Sequence, residues 1–367
     1  MDVKEGPALD GIGGTVQSSA IFADLLGDRE LQALLGDIAI LSHYRQFETA
    51  LVETKRDLGL VEQEPASEAI RHLARFLPDT EMLADRTARD GVTIAGYVQQ
   101  LKEELSEEAA AAVHTGATSQ DVMDTALTLC LRDVNARLEL RLQYLVEQLD
   151  NLSARFGDRT VMGRTRMQAA LPIKLPHRLE NWRRPLRALL EDWARLSSSI
   201  EWLQLGGPVG DRRGFDDQAD GVASMLAGKL GLIDPGYAWH NDRRPIIAQG
   251  EMLARLSGAL GKMGQDVALM AQNGIDEVTL SGAGGSSAMA HKSNPVAAEV
   301  LVSLARYNAA QSGLLHSALV HEQERSGTAW TLEWMVLPAM CLATGRALLL
   351  STRLLDQIET MGKARDE

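Results

Sequence analysis

The sequence of 367 residues predicts an all-α fold: an elongated bundle of about five long helices behind a smaller N-terminal helical domain. Three observations carry this. Aromatic residues are only 4% of a chain rich in Leu and Ala, whereas strands draw on aromatic and β-branched side chains. No glycine or proline occurs from Thr125 to Phe156. Within that stretch Leu127, Leu131, Val134, Leu138, Leu142, Leu145, Leu149, Leu152 and Phe156 recur at threes and fours, the spacing of one helix face.

The elements follow in order. Residues 1–105 read as shorter helices broken by Gly27, Gly59, Pro65, Pro78 and Gly91, an N-terminal domain. Residues 106–360 read as the central bundle, with 361–367 a tail. After the first long helix, Gly157 supplies a C′ residue. Leu179, Trp182, Leu186, Leu189, Trp193, Leu196, Ile200 and Leu203 stripe a second helix, kinked at Pro185 and ended by Gly206-Gly207-Pro208. Leu253, Leu256, Leu260, Met263, Val267 and Met270 stripe a third, stopped at Gly274. A fourth is predicted to start with Asn294 as N-cap and Pro295 at N1 and to run to about His321. A fifth covers roughly 331–360, with Pro338 inside it. Strand signals are few. Such regular stripes carry more apolar face than one chain covers, so the bundle is expected to oligomerise.

The charge balance, 37 basic against 50 acidic residues, gives a net charge of −13. Most of that surface repels nucleic acid and anionic membranes, so neither is an expected partner, and an anionic substrate needs a local basic pocket. Cys130 and Cys341 read as small buried thiols of a reducing compartment. No run of about 18 apolar residues predicts a membrane span, and MDVKEGPALDG lacks an apolar signal core, so a cytoplasmic protein is expected. With no Cys cluster and no His pair at ligand spacing, no metal is expected, and no cofactor either.

Four polar islands separate the helices. In HTGATSQDVMD (114–124), Thr118 and Asp121 suit a helix cap, yet His114, Thr115, Thr118, Ser119 and Gln120 exceed what a cap needs. Hydroxyls at a helix N-terminus also suit a carboxylate. GRTRMQAALP (163–172) places Arg164, Thr165, Arg166 and Gln168 before a long helix; a solvated basic turn is the plainer reading. WHNDRRP (239–245) holds His240, Arg243 and Arg244, where a structural histidine is the plainer reading. SGAGGSSAMAHKSNP (281–295) fits neither a Walker A loop nor a dinucleotide fingerprint. A flexible linker would fit its glycines, but Ser286, His291, Lys292 and Asn294 suit a site that binds a carboxylate and moves a proton.

GSSAMAHKSNP closely resembles the signature loop of the fumarase/aspartase superfamily, and HTGATSQD and GRTRMQAALP resemble its first and second conserved regions, in its order. The likeness covers nearly the whole chain. HTGATSQDVMDTAL, GRTRMQ and HEQERSGTAWTLEWMVLP (321–338) are most similar to its lactonising, carboxymuconate-cyclising branch; the adenylosuccinate lyases are the next most similar. Ala290 stands where the pattern has proline, and Arg166 where the lyases carry histidine. Typical members continue into a third, C-terminal helical domain, which is expected to be absent here.

The resemblance implies catalytic roles for Ser286, as the proton-transferring residue, and Lys292. It implies substrate binding by His114, Thr118, Ser119, Arg166, Gln168, Ser287, Met289, Asn294 and Arg325. It also implies a homotetramer whose active sites are each shared by three subunits. The arginine bears on the reaction. An amine or water lyase benefits from an acid at its leaving group, and arginine keeps its proton. A lactone's leaving carboxylate needs no acid. Arg166 is therefore expected to clamp an additional acidic group of a small tricarboxylate, 3-carboxy-cis,cis-muconate. A 3-sulfomuconate substrate, an amine lyase like the adenylosuccinate lyases, and a non-catalytic helical scaffold are the alternatives.

Overall fold

The computed structural model describes residues 19, 21–282, 284 and 294–364. Short helices α1 (Ala23–Leu26) and α2 (Arg29–Leu35) lead into α3 (Asp37–Asp57), α4 (Gln63–Leu73), α5 (Thr80–Asp90), α6 (Thr93–Glu103) and α7 (Glu107–Ala112). Then come α8 (Ser119–Arg155), the strands β1 (Thr160–Thr165) and β2 (Gln168–Lys174), and α9 (Leu175–Ile200). A 3₁₀ segment (Arg213–Gln218) and α10 (Ala219–Leu230) precede α11 (Arg244–Met270), β3 (Val278–Leu280), α12 (Val296–Ser317), α13 (Thr328–Asp356) and β4 (Ile358–Met361).

The stripes become the core. From Leu131 to Leu152 the striped residues of α8 are buried, and Leu127 packs partly buried against them. They join the striped faces of α9 and α11 and the inner faces of α12 and α13 in one apolar cluster. A second cluster gathers α3, α4, α6 and α7 around the first turns of α8, together with Leu203, Leu205 and α10. At about 1.5 Å per residue the 37-residue α8 is some 55 Å long, enough to run through both. The thiols of Cys130 and Cys341 are free and buried, and burial pushes each up to about 12.

The five expected long helices are present among the described residues, but several boundaries differ from expectation. α9 ends at Ile200, short of Gly206. Leu203 is buried all the same, because its backbone turns extended and its N–H donates to the Ile233 carbonyl, which places it in the second cluster. α12 begins at Val296 with Pro295 as N-cap, one residue later than predicted. The reason is local: both backbone groups of Asn294 are engaged with Gly284, at 2.8 and 3.0 Å, which holds Asn294 in a bridge rather than a cap. α12 stops at Ser317 instead of His321, and α13 gives way to β4. The largest difference is at 163–172, read as a polar turn before a helix: residues 160–174 form an antiparallel hairpin, with Thr165 opposite Gln168.

Among the described residues one helix, α13, is long and apolar enough to cross a membrane by length and composition, which the apolar runs of the sequence do not predict. Of its most apolar stretch, 61% is buried within the bundle, as in the core helix of a globular fold.

Candidate active site

The site grows from the loop between α7 and α8. Two side chains two turns apart on one face of α3 hold it. Glu48, fully buried, accepts from the backbone N–H of His114 at 3.0 Å and from its Nδ1–H at 2.7 Å. Lys55 donates from Nζ to the carbonyls of Ala112 (2.8 Å) and Thr115 (3.3 Å). Burial pushes Lys55 down to about 8. Between these clamps His114 takes a left-handed φ of 63°, uncommon for a residue other than glycine. Burial alone would make His114 less basic, but the Glu48 carboxylate outweighs it by charge and hydrogen bond, so its pKa is raised.

Thr118 caps α8, and the Asp121 carboxylate accepts from its backbone N–H at 2.9 Å. The Thr118 hydroxyl faces outward and accepts from Arg325 Nη1 at 2.6 Å. An arginine thus stands at the N-terminus of the longest helix, beside Ser119 and the turn that carries His114. Helix dipole and guanidinium add there, an arrangement that favours a carboxylate.

Asp121 does more than cap. It is fully buried and accepts from Gly206 N–H, Gly207 N–H (2.9 Å each) and His240 Nε2 (2.8 Å) as well as from Thr118. It therefore pins the 206–207 and 239–241 segments under the helix N-terminus. One turn on, Asp124 receives both Nη groups of Arg243 at 2.7 and 3.0 Å and Trp330 Nε1 at 2.9 Å. Arg243 reaches across to Glu333 at 2.6 and 2.8 Å and lies over the Trp239 ring. Burial opposes charge on Asp124, but Arg243 outweighs it and keeps the carboxyl below the usual range. This wholly buried network ties α8 to α11 and α13, the helices that frame the site.

Not every expected site residue is brought to this place. Thr118 and Arg325 meet directly, with Ser119 and His114 in adjoining turns. Asn294 closes the base of its loop by pairing with Gly284. Ser286, Ser287, Met289 and Lys292 lie outside the described residues. Arg166 sits at the tip of the β1–β2 hairpin, with Gln168 beside it at the start of β2, both exposed. The tip is formed by Arg166 and Met167 with φ of 49° and 65°, the twist of a type I′ turn made without Gly or Asn. No hydrogen bond or ion pair among the described residues joins it to the Thr118–Arg325 contact.

A cavity of about 710 Å³ between α3, α5, α8 and α13 is not the site of an anion. Leu41, Tyr44, Leu83, Met123, Leu127 and Trp334 line it, and no Lys, Arg or His does among the described residues.

Sequence reasoning missed Glu48, Asp124 and Glu333, and gave His240 and Arg243 little weight. Glu48 leaves no local signal, since its partner lies 66 residues on. A signal for Asp124 did exist: Asp121 and Asp124, three apart, share one face of an apolar stripe that has no use for carboxylates unless cations meet them.

Residues 49–307 match the lyase family. The chain is 34% identical to a 3-carboxy-cis,cis-muconate cycloisomerase of Acinetobacter baylyi over 94% of its own length and 77% of that relative's. It is 31% identical to a nitrosuccinate lyase of Streptomyces davaonensis, over 90% of this chain and 73% of that one. The solved structure of a 3-carboxy-cis,cis-muconate lactonizing enzyme from Pseudomonas putida superposes with a TM-score of 0.86 at 30% identity, over 93% of this chain and 77% of that one. Its long-helix bundle, its signature segments and these relatives together make the chain a member of the lyase family of the fumarase/aspartase superfamily.

Proposed function

We propose that the chain is an intramolecular lyase that cyclises 3-carboxy-cis,cis-muconate to 4-carboxymuconolactone, a step of protocatechuate breakdown, as a cytoplasmic homotetramer without cofactor. One carboxylate of the substrate adds to a carbon–carbon double bond. A C–O bond forms, and the alkene electron pair moves onto the carbon beside a second carboxylate. That carboxylate spreads the negative charge, so dense donors around it lower the barrier. Ser286 delivers the proton that quenches the carbanion, and Lys292 and Asn294 hold the charged carboxylate. Arg325, Thr118, Ser119 and His114 bind at the helix N-terminus, and Gln168, Ser287 and Met289 complete the contacts.

The observation that carries this reading is Arg166, presented at a strained and exposed hairpin tip where a lyase would place a titrating acid. Its guanidinium can fork onto a third acidic group but cannot protonate a leaving amine. Exposure of Met167 (71%) and Leu171 (73%) on the same hairpin supports its packing against another subunit.

Purified protein mixed with 3-carboxymuconate should remove the diene absorbance, and Ser286→Ala should abolish this while circular dichroism stays unchanged. Turnover of adenylosuccinate or nitrosuccinate with none of carboxymuconate would overturn the reading. Comparison with 3-sulfomuconate tells whether the fork prefers carboxylate or sulfonate.

A further inference from the structure

The contact between Glu48 and His114 is more specific than loop docking requires. Holding the loop would need only the backbone N–H bond, and Lys55 already fastens both flanks. Yet Glu48 spends its second oxygen on Nδ1 of the ring. A carboxylate can only accept, so Nδ1 carries a hydrogen. The remaining nitrogen, Nε2, makes no hydrogen bond among the described residues, and the side chain is 18% exposed. A ring that is oriented, charge-coupled and left with one free nitrogen has the form of a binding group backed by a carboxylate.

We propose that Glu48 is a positioning residue for the reaction: by accepting Nδ1–H of His114 it fixes the ring, and its negative charge favours the imidazolium, whose Nε2–H then donates to a substrate carboxylate. This rests on the anionic-substrate reading above. The groups around His114 are Glu48 and Lys55 on α3, Lys102 on α6 and Asp121 on α8. Burial opposes the imidazolium most and Lys102 adds to that, but the two carboxylates outweigh both and the net direction is upward. The sign follows. His114 is cationic below its raised pKa and loses affinity for an anion as pH rises through it. Without the Glu48 charge that loss begins at lower pH.

The test is a titration of the His114 ring by NMR in the free protein, together with KM and kcat across pH, for wild type, Glu48→Gln, Glu48→Asp and Lys55→Met. Glu48→Gln should lower the ring's pKa, which moves the alkaline rise of KM to lower pH and raises KM about tenfold at a fixed pH on that limb, with kcat changed less. Glu48→Asp keeps the charge and should hold the limb close to its wild-type position. Lys55→Met loosens the same loop but removes a cation, so it should not move the limb downward. An unchanged His114 titration in Glu48→Gln overturns the proposal. So does a fall in kcat alone at every pH with the limb in place, the mark of a merely structural carboxylate. The NMR titration needs no substrate, so it stands or falls separately from the assignment of the reaction.

Discussion

At the scale of single residues, Arg166 is where local energy and chemistry conflict. A left-handed non-glycine residue costs about 1–3 kcal/mol, and two of them make this turn. Asn would hold the same turn more comfortably, so the arginine is there for something other than folding. Arg166→Asn separates the two roles. The hairpin should persist, with unchanged or slightly higher thermal stability. KM for the tricarboxylate should rise about ten- to a hundredfold, the loss expected when a charge-assisted hydrogen-bond pair to a carboxylate is removed. The value of kcat should fall less, because the reacting carboxylate needs no acid. A large loss of kcat at unchanged KM would place Arg166 in the proton-transfer step instead.

Among the elements, what was legible followed from period and what was not followed from distance. The stripes on α8, α9 and α11 lie on one face each, so six to nine apolar residues define a helix with no knowledge of its neighbours. The β1–β2 hairpin escaped because its strands bury little: Gln168 to Pro172 are all exposed, and its turn lacks the Asn-Gly chemistry that marks a hairpin. Helix contacts are equally silent in sequence. Gly264 in α11 shows this. A Cβ there would stand 2.7 Å from the Ala298 carbonyl oxygen and 2.8 Å from Leu301 Cβ, both on α12. Gly264→Ala should therefore destabilise by about 1–3 kcal/mol despite the better helix propensity of alanine. Gly228 on α10 meets nothing within 4 Å, so Gly228→Ala should gain about 0.5–1 kcal/mol. Denaturant unfolding of the two variants checks the contrast; equal shifts would show that α11 and α12 do not depend on this close approach.

For the whole molecule, the described residues of the candidate site fall into two separate parts. The N-terminus of α8, Arg325 and the Glu48-held His114 form one compact part. The hairpin tip forms another, exposed to solvent and joined to the first by no hydrogen bond or ion pair among the described residues. The signature motifs were readable in sequence because each is local, while where they meet depends on contacts between distant residues, which leave no local mark. The apolar surface left on the bundle, with Val320 75% and Met335 72% exposed, supports burial against further copies. A tetramer with sites shared between subunits makes a quantitative prediction. Ser286→Ala lacks the proton donor, and Arg166→Asn lacks the fork. Assayed at substrate far below KM, each parent should be nearly silent. When the two are mixed and allowed to exchange subunits, a site that draws its loop from one chain and its hairpin from another is intact if both happen to be wild type, which for random association is about a quarter of sites. Recovery to about that fraction of wild-type activity, appearing only as subunits exchange, would show that Ser286 and Arg166 meet across chains. If activity never rises above the parents although mass spectrometry shows mixed tetramers, both residues serve the same chain's site, and the hairpin must fold back in a way its present exposure does not indicate.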